Sequence, residues 1–427
     1  MNGAAENEAP ARHTVVVDLG YGDAGKGRVV DLLCAESAVA AVVRFNGGAQ
    51  AGHNVVLPDG RHHTFAQFGS GTFRGVPSHL SRFVVVDPIA LAAEAAHLVR
   101  LGVADPFALL TVDEDALLAT PWHRAANRAR ERARGSARHG SCGLGVGETT
   151  AYALAHPEDA PRVGDVRAPS RLRRRLVAVR DRLTASAGPL RAPEVDDVLR
   201  AFAAFADAVR IVDASHLTGV LGSGRCVFEG AQGVLLDEWF GWHPHTTWST
   251  TTFANADALL GEAPAERLGV VRTYTTRHGA GPHVTEDPLL DVLPEPHNTT
   301  GRWQGAFRRG HFDAVAHRYA IEVCGGVDAL AVTHLDAPAL APSLAICTSY
   351  RDADRRPVDR IPVGRPGDLA GAERLTTALG LTAAGEVYRP TDWARAVEAE
   401  LGAPVVLGTD SASGPPALRT APRSRAA

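Results

Sequence analysis

A glycine-rich loop between a strand and a helix is the feature that most constrains how this chain can fold. The residues His13–Leu19 form a short, β-branched apolar run typical of a buried strand. Gly20–Lys26 then fits the pattern G-x-x-x-x-G-K, and Arg28–Glu36 has apolar residues at helical spacing. In such a loop, backbone N–H groups and the start of the helix attract phosphate oxygens. The sequence therefore predicts a P-loop-like phosphate site after the first strand.

Strand and helix patterns alternate along the rest of the chain. Further strands are predicted at Ala41–Phe45, Phe83–Val86, Leu109–Val112, Arg210–Val212, Cys226–Glu229, Leu268–Tyr274, Ala329–Thr333, Leu344–Tyr350 and Pro404–Leu407. Helices are predicted at Ile89–Arg100, Arg124–Arg134, Arg171–Ser186, Pro193–Val209, Ala314–Cys324, Leu369–Leu379 and Asp392–Leu401. This alternation indicates an α/β fold, a single large domain with a central, mostly parallel sheet covered on both faces. We expect the catalytic domain to span residues 13–410, between disordered tails at 1–12 and 411–427.

Composition limits the partners that the chain can have. Its 427 residues carry a net charge of −4, which does not favour a nucleic-acid or anionic-membrane surface. Accordingly, the arginine-rich helix Arg124–Arg134 is expected to face solvent. Five cysteines without a C-x-x-C pair indicate reduced thiols. Because residues 1–12 are polar and no run reaches about 18 apolar residues, we expect a cytoplasmic protein without a signal peptide or membrane span.

The basic residues single out one position in the loop. Lys26 is the only lysine among 44 lysine and arginine residues. Arginine carries a wide planar fork, whereas lysine carries a compact point charge. A loop that wraps a phosphate closely has room for the second and not for the first. Lys26 is therefore a candidate phosphate-binding residue.

Asp23 and Gly27 distinguish this loop from the usual phosphate loop. The residue after Lys26 is Gly27, so the serine or threonine hydroxyl that normally binds Mg²⁺ is missing. Asp23 lies inside the loop and offers a carboxylate in its place. That carboxylate is a candidate ligand of the metal or a candidate base.

Three further polar residues follow predicted strands. His53 lies in the glycine-rich segment Asn46–Asn54 and is a candidate proton or hydrogen-bond donor. Gln232 lies in EGAQGVLLD, and its amide can pair with a purine edge through one donor and one acceptor. Asp336 ends the segment THLD and can accept hydrogen bonds from a guanine. Each of these residues, taken alone, also fits a purely structural role.

Taken together and in order, these segments resemble the adenylosuccinate synthetase family from about Val15 to Asp410. Six motifs carry the resemblance: YGDAGKGR at 21–28, RFNGGAQAGH at 44–53, FEGAQGVLLD at 228–237, YTTRHGAGP at 274–282, TTGR at 299–302 and THLD at 333–336. The resemblance implies a carbon–nitrogen ligase of purine biosynthesis that requires GTP and Mg²⁺ and forms a homodimer. GTP would phosphorylate the 6-oxo group of IMP, and L-aspartate would then displace that phosphate to give adenylosuccinate.

The resemblance also implies a role for individual residues. Asp23 would be the base, His53 the acid, and Lys26 would hold the transferring phosphoryl group. Asp23 and Gly52 would bind the metal. The residues implied for GTP and phosphate are Gly22, Gly25, Gly27, Gly52, His334 and Asp336. Those implied for the purine substrate are Gln50, Ser141, Cys142, Gln232, Thr247 and Arg162. Those implied for aspartate are Thr299, Thr300 and Arg302.

The departures from the family pattern concern the substrates rather than the phosphoryl chemistry. In SCGLGVGE, at residues 141–148, Cys142 replaces a threonine that contacts the 5′-phosphate, and the carboxylate of Glu148 is added. The segment that carries a partner-subunit arginine in the family reads LAHPEDA at residues 154–160 and has none. Arg162 is a candidate partial substitute. Gln50 and His334 also replace family residues, an asparagine near the purine and a lysine that packs on guanine.

Three functional hypotheses follow from the sequence. The first is a ligase that acts on IMP. The second is a paralog that joins aspartate to another 6-oxopurine nucleoside or nucleotide, without a 5′-phosphate in the simplest case, in specialised metabolism. The third is a nucleotide-binding regulator that has lost catalysis, against which the retention of Asp23, Lys26 and His53 argues.

Overall fold

The computed structural model covers most of the chain. It describes the following residues: 13–296, 298, 301, 303–410 and 418–419. The predicted tail at 1–12 and most of the one at 411–427 lie outside these residues, as do the aspartate-binding candidates Thr299, Thr300 and Arg302. Within the described residues, no helix combines the length and the apolar character that crossing a membrane requires.

The strands form one large sheet and several small ones. In chain order the strands are β1 His13–Asp18, β2 Ala41–Arg44, β3 His53–Val56, β4 His62–Phe65, β5 Ser78–Leu80, β6 Val85–Val86, β7 Leu110–Asp113, β8 Leu117–Leu118, β9 Arg210–Val212, β10 Cys226–Glu229, β11 Ala265–Arg272, β12 Thr275–His278, β13 Phe307–Gly310, β14 Phe312–Asp313, β15 Ala329–Thr333, β16 Ile346–Cys347, β17 Tyr350–Arg351, β18 Pro357–Val358, β19 Ala383–Ala384, β20 Val387–Tyr388, β21 Val405–Gly408 and β22 Leu418–Arg419.

The α-helices connect and cover these strands. They are α1 Lys26–Glu36, α2 Pro88–Arg100, α3 Pro121–Ala133, α4 Val146–Ala155, α5 Pro169–Ala187, α6 Val195–Ala208, α7 Ala214–Ser223, α8 Ala254–Leu260, α9 Ala314–Val323, α10 Ala337–Leu340, α11 Leu369–Gly380 and α12 Trp393–Leu401.

The large sheet has nine parallel strands, in the order β21-β15-β11-β1-β10-β2-β5-β7-β9, and β22 pairs antiparallel with β21. β1 lies in the middle, and every residue from His13 to Asp18 is buried. Val15 and Val17 belong to one hydrophobic core, whereas Val16 packs with α1 in another. Because both faces are covered, the strand reads as a continuous apolar run rather than an alternating one. The predicted α/β fold with a central, mostly parallel sheet is confirmed.

Some predicted elements are displaced or divided in the structure. The strand predicted at Phe83–Val86 is reduced to β6, which pairs with β8 outside the large sheet. The strand that enters the sheet is β5, where buried Ser78 accepts a hydrogen bond from the N–H of Gly69 at 3.0 Å. Polar residues conceal such a strand in the sequence, because their hydrogen bonds become visible only after folding. The strand predicted at Leu344–Tyr350 is likewise divided into β16 and the start of β17.

Candidate active site

Three adjoining cavities lie where the parallel strands of the large sheet end. The loop cavity, of about 290 Å³, is lined by Lys26 and His334 among others. The central cavity, also of about 290 Å³, is lined by Asp23 and His53. The distal cavity, of about 260 Å³, is lined by residues of α3 and α4. Asp23 and His53 border both the loop cavity and the central cavity. Loops that follow β1, β2 and β10 thus converge on one site, as expected for an open parallel sheet.

The ammonium of Lys26 is held inside the loop by three acceptors. It donates to the Oδ2 of Asp18 at 3.1 Å, to the carbonyl of Gly22 at 2.8 Å and to the carbonyl of Gln232 at 2.7 Å. Asp18 also accepts hydrogen bonds from loop N–H groups, including that of Ala24 at 2.8 Å. Since a lysine ammonium has three donors, all of them are used within the protein. Lys26 therefore links the loop to the segment after β10. This structural role is independent of any contact that Lys26 makes with a phosphate.

Gly27 allows α1 to lie directly against β3. A Cβ atom at this position would lie 2.9 Å from the Cβ of His53 and 3.1 Å from the carbonyl oxygen of Asn54. Any side chain here would therefore separate the phosphate loop from His53. This contact explains why the loop lacks the serine or threonine that usually follows the lysine.

His53 forms a buried relay with Glu229. Its Nδ1 lies 2.6 Å from the Oε1 of Glu229, whose other oxygen accepts from the N–H of Ser70 at 2.9 Å. The Ser70 hydroxyl also donates to Oε1. With Nδ1–H turned towards the carboxylate, Nε2 is directed away from it, is buried and has no partner among the described residues.

The charge state of this pair follows from burial and mutual attraction. Burial lowers the pKa of His53 to about 4, although Glu229 opposes the change. Burial also disfavours ionised Glu229, but His53 and Arg44 outweigh it and lower the pKa of Glu229 to about 2. His53 is therefore neutral at rest, beside a fixed carboxylate. An anion that arrives at Nε2 would favour the protonated imidazole.

Asp23 lies at the boundary between the loop cavity and the central cavity. Its side chain is 25% exposed, and its Oδ2 lies 3.5 Å from the Nε2 of His278. Arg272 donates to its backbone carbonyl at 3.0 Å. Burial raises the pKa of Asp23, and electrostatic interaction with His278, Arg272 and Lys26 counteracts part of that rise. A carboxylate with a raised pKa is a stronger base than an ordinary surface aspartate.

Gln50 and Gln232 both line the central and distal cavities. Both polar atoms of the Gln50 amide are buried without a partner in the described part of the chain. Gln232 has a backbone φ of 64°, in the region that residues other than glycine rarely occupy. Lys26 stabilises this conformation by donating to its carbonyl. Unpaired amide groups and local backbone strain are features that collect at ligand sites.

The distal cavity brings together three arginines, Arg130, Arg134 and Arg277, and two carboxylates. Arg130 forms an ion pair with Glu148, and Arg134 lies 2.6 Å from Glu131. These contacts place part of α3 in the cavity wall, although Arg130 and Arg134 remain 34% and 35% exposed, as expected for a solvated face.

Three purine-substrate candidates also lie in this lining: Ser141, Cys142 and Thr247. The Ser141 hydroxyl accepts from the side chain of Asn127 at 2.8 Å. Burial raises the pKa of Cys142, so its thiol is neutral.

Other predicted residues take varied positions. His334 lines the loop cavity, whereas Asp336 begins α10 and is not part of the described lining of that cavity. Gly52 is exposed and borders the loop and central cavities. Arg162 donates to the carbonyl of Asp115 at 2.6 Å and lies outside the described lining of all three cavities. A contact between Arg162 and the purine substrate remains a prediction.

Comparison with known proteins assigns the chain to a family. The family model described as adenylosuccinate synthetase matches residues 15–377. The adenylosuccinate synthetase of Myxococcus xanthus is 34% identical over 386 residues, which cover 86% of this chain and 87% of that protein. The enzyme of the same name from Neisseria gonorrhoeae is 33% identical over 374 residues, or 83% of this chain and 84% of the other. The chain belongs to the adenylosuccinate synthetase family.

Solved structures agree with this family fold. The fully ligated adenylosuccinate synthetase of Plasmodium falciparum superposes with a TM-score of 0.80 at 21% identity, covering 93% of this chain and 97% of the other. A succinoaminodeoxyadenylate synthetase of cyanophage S-2L, bound to dGMP and to dATP as an energy donor, superposes with a TM-score of 0.56 at 22% identity. That match covers 87% of this chain and all of the other. As a member of the adenylosuccinate synthetase family, the chain is a carbon–nitrogen ligase.

Sequence reasoning missed several residues of this adenylosuccinate synthetase-type site. Glu229, which accepts from His53, ends a predicted strand in the sequence, and a carboxylate that closes an apolar run is a signal for a functional residue. Arg277 and His278 lie in TTRHGAGP and line the central and distal cavities. Arg277 is 1% exposed, and its Nη1 atom has no partner among the described residues. Glu131 was not distinguished from the other charged residues of its helix.

Proposed function

We propose that this chain phosphorylates the 6-oxo group of a purine with GTP and then joins L-aspartate to the activated carbon. One observation carries the proposal: Asp23, His53 and Gln232 line one cavity, directly beside the cavity of the phosphate loop. An amide-like oxygen is a poor leaving group and phosphate is a good one. Phosphorylation at that oxygen therefore makes the carbon–nitrogen bond accessible.

Asp23 is the proposed base. It removes the proton from N1 of the purine, and the electrons released make the 6-oxygen nucleophilic towards the γ-phosphorus of GTP. The bond to GDP breaks as the new oxygen–phosphorus bond forms. The raised pKa of Asp23 suits this proton transfer, and the nearby imidazole of His278 stabilises the carboxylate before it occurs.

His53 is the proposed acid. Its unpartnered Nε2 is available to a phosphoryl oxygen, and the Glu229 carboxylate at 2.6 Å stabilises the imidazolium that forms. At rest Nε2 carries no proton, so His53 takes one up from solvent as the anionic phosphates bind, and the resulting Nε2–H then donates to the developing charge. Gln232, with Gln50 beside it, is proposed to bind the purine edge.

The phosphate loop is proposed to bind the phosphates of GTP. Backbone N–H groups at Gly25 and Gly27 lie at the start of α1, where the helix dipole favours anions. Lys26 would contact the transferring group by exchanging one of its three protein acceptors for a phosphate oxygen. His334, in the wall of the same cavity, and Asp336 are the proposed contacts to the guanine.

Asp23 and Gly52 are the proposed Mg²⁺ ligands. Among the described residues, no group of three or more His, Cys, Asp or Glu side chains is arranged to hold a metal by itself. Mg²⁺ usually keeps several waters and binds one or two carboxylates together with substrate phosphates, so a single cavity carboxylate fits it. When bound, the ion would neutralise charge on the transferring phosphate.

The second half of the reaction needs aspartate beside the activated carbon. Thr299, Thr300 and Arg302 are proposed to bind it, since a guanidinium pairs bidentately with a carboxylate. Asn298 and Gly301, the described residues of the same segment, line the central cavity. The amino group then attacks C6, and inorganic phosphate leaves. We also propose a homodimer, as the family resemblance implies.

IMP is the first candidate purine, and adenylosuccinate is then the product. Ser141, Cys142, Thr247 and Arg162 are the proposed contacts to its sugar and phosphate. A second candidate is a 6-oxopurine nucleoside without a 5′-phosphate. It is favoured by the presence of Glu131 and Glu148 in the distal cavity.

The deciding experiment measures phosphate release with GTP, Mg²⁺ and L-aspartate, with IMP or inosine as the purine. We expect release with at least one purine, and a product whose mass shows that aspartate has been joined to it. ATP in place of GTP tests the nucleotide. Nucleotide binding without phosphate release for any purine would contradict the proposal and favour a regulator.

A further inference from the structure

The distal cavity has two distinct ends. It shares Gln50, Gln232, Leu236, Arg277, His278 and Gln304 with the central cavity. Glu131 and Glu148 line the distal cavity alone. A purine placed with its 6-oxygen near Asp23 therefore directs its sugar, and whatever the 5′ carbon bears, towards these two carboxylates.

Both carboxylates are buried and built into the cavity wall. The side chain of Glu131 is fully buried, and that of Glu148 is 10% exposed. Glu131 accepts hydrogen bonds from Arg134 at 2.6 Å and from the N–H of Gly140 at 3.2 Å. Glu148 pairs with Arg130, which also donates to the Ser186 hydroxyl at 3.1 Å. These contacts fix each glutamate against the arginine that would otherwise be available to an anion.

The positive charge at this end is therefore already offset. Arg130 and Arg134 each face a carboxylate of the protein. Burial lowers the pKa values of His139 and His245, which leaves both rings uncharged at neutral pH. Among the described residues of the cavity wall, Arg277 is the arginine that has no carboxylate partner. It lies at the end shared with the central cavity.

A phosphate dianion is poorly accommodated in such a place. It gains most from charge-assisted, bidentate contacts to arginine. Here it would have to displace a carboxylate from each arginine and leave that carboxylate buried and unpaired, which is strongly unfavourable. A sugar hydroxyl carries no charge and can donate to a carboxylate or accept from an arginine.

We propose that Glu131 and Glu148 make the distal cavity select a 6-oxopurine nucleoside with a free 5′-hydroxyl and exclude the 5′-phosphate. The inference rests on the proposed function, because it assumes that the purine lies across the central and distal cavities. It assigns substrate selection to two buried carboxylates.

The test compares kcat/KM for inosine and for IMP. We expect the wild-type chain to prefer inosine. In Glu148→Gln the repulsion is removed at nearly constant shape, so the preference should shift towards IMP by about tenfold or more, the scale of one lost charge contact. The matched control is Glu114→Gln, which alters an exposed ion pair with Arg167 and should leave the preference unchanged.

Isothermal calorimetry with inosine and with IMP separates this inference from the proposed function. Inosine binding tighter than IMP binding, with no phosphate release, would leave the inference standing and contradict the reaction. Tighter binding of IMP to the wild-type chain would overturn the inference whatever the turnover. So would loss of IMP use in Glu148→Gln, since it would mean that Glu148 positions Arg130 for a phosphate.

Glu131→Gln provides a second variant in case Glu148→Gln does not fold. It removes the other carboxylate charge at nearly constant shape, and its partner Arg134 is 35% exposed, so discrimination against IMP should decrease. An unchanged preference between inosine and IMP in this variant would contradict the inference.

Discussion

At the scale of single residues, the glycine-rich loop is held by a carboxylate of the protein, that of Asp18. Asp18 is buried beneath the loop and accepts hydrogen bonds from the N–H groups of Gly20 and Ala24 and from Lys26. The loop is thereby held in its curved shape before any phosphate arrives. Pre-organisation of this kind lowers the cost of binding, because the backbone is already ordered.

Lys26 cannot be replaced by arginine without loss. Its three acceptors lie 2.7–3.1 Å from one nitrogen atom in a buried space, and a planar guanidinium cannot match them. Lys26→Arg should lower kcat by about 100-fold or more and destabilise the fold by about 2 kcal/mol. Steady-state kinetics and urea unfolding measure both effects.

The control for this variant is Arg61→Lys, which changes an exposed ion pair with Asp59. Wild-type turnover in Lys26→Arg would show that the positive charge alone matters and that the three hydrogen bonds do not.

Asp23→Ala separates chemistry from folding. The side chain is partly exposed at the cavity boundary, and the fold uses mainly its backbone carbonyl. We expect the variant to keep its thermal stability and to lose turnover. Phosphate release and a thermal melt are the measurements, with Asp59→Ala as an exposed control. Activity within about tenfold of wild type would refute the role of Asp23 as base.

At the scale of elements, the contact between α1 and β3 sets the distance from the phosphate loop to His53. Gly27→Ala would place a Cβ atom 2.9 Å from that of His53. We expect the helix to move away, at a cost of about 1–3 kcal/mol, and turnover to fall by at least about tenfold because His53 is displaced. Thermal unfolding and phosphate release test both.

The matched control is Gly219→Ala in α7, where a new Cβ meets no atom within 4 Å. That change should be neutral or stabilise the helix by up to about 1 kcal/mol. If the two alanine variants behave alike, the close approach at Gly27 does not position His53.

Trp303 connects a second pair of elements. Its ring lies beneath the guanidinium groups of Arg128 and Arg132 of α3, at 5.8 and 5.2 Å. It also contacts the position of Gly143, where a Cβ would come within 2.9 Å of the indole. The chain that follows the predicted aspartate segment is therefore packed against the helix that forms the distal cavity.

At the scale of the whole molecule, buried histidines make stability depend on pH. Burial lowers the pKa values of His79 and His317 to about 4 and that of His123 to about 3. In the unfolded chain they titrate near 6.5. Between these values the unfolded chain binds more protons, so the free energy of unfolding should fall by several kcal/mol as the pH is lowered from about 6.5 to 4.

Asp313 acts in the opposite direction. Burial raises the pKa of Asp313 to about 6. Between about pH 4 and 6, its contribution to the free energy of unfolding therefore increases as the pH falls. The destabilising effect of the three histidines at low pH is larger than the stabilising effect of this one carboxyl group. Urea unfolding at a series of pH values should therefore show a net decrease in the free energy of unfolding as the pH is lowered. His79→Asn should make that dependence shallower. An unfolding free energy that stays constant across this range would contradict the assignment of neutral buried histidines.

The predictability of the site differs from residue to residue. Gly20–Lys26 could be interpreted directly, because a strand, a glycine loop and a helix are contiguous in the chain. Gln50, Gln232 and His53 were selected from separate segments, and the structure brings them to the same cavity wall. Glu229 was missed because its partner, His53, lies 176 residues away in the chain. The sequence contains no local sign of that pairing.

The sequence by itself determined the parallel α/β fold, the glycine-rich loop between β1 and α1 and the family, since these depend on patterns local to each segment and on the order of the motifs. Only the tertiary structure decided that Asp18 and Lys26 close the loop, that Glu229 orients His53 and that α3 forms part of the distal cavity. These features depend on distances between side chains far apart in the chain. Such distances are set when elements pack against one another, and no local pattern encodes them.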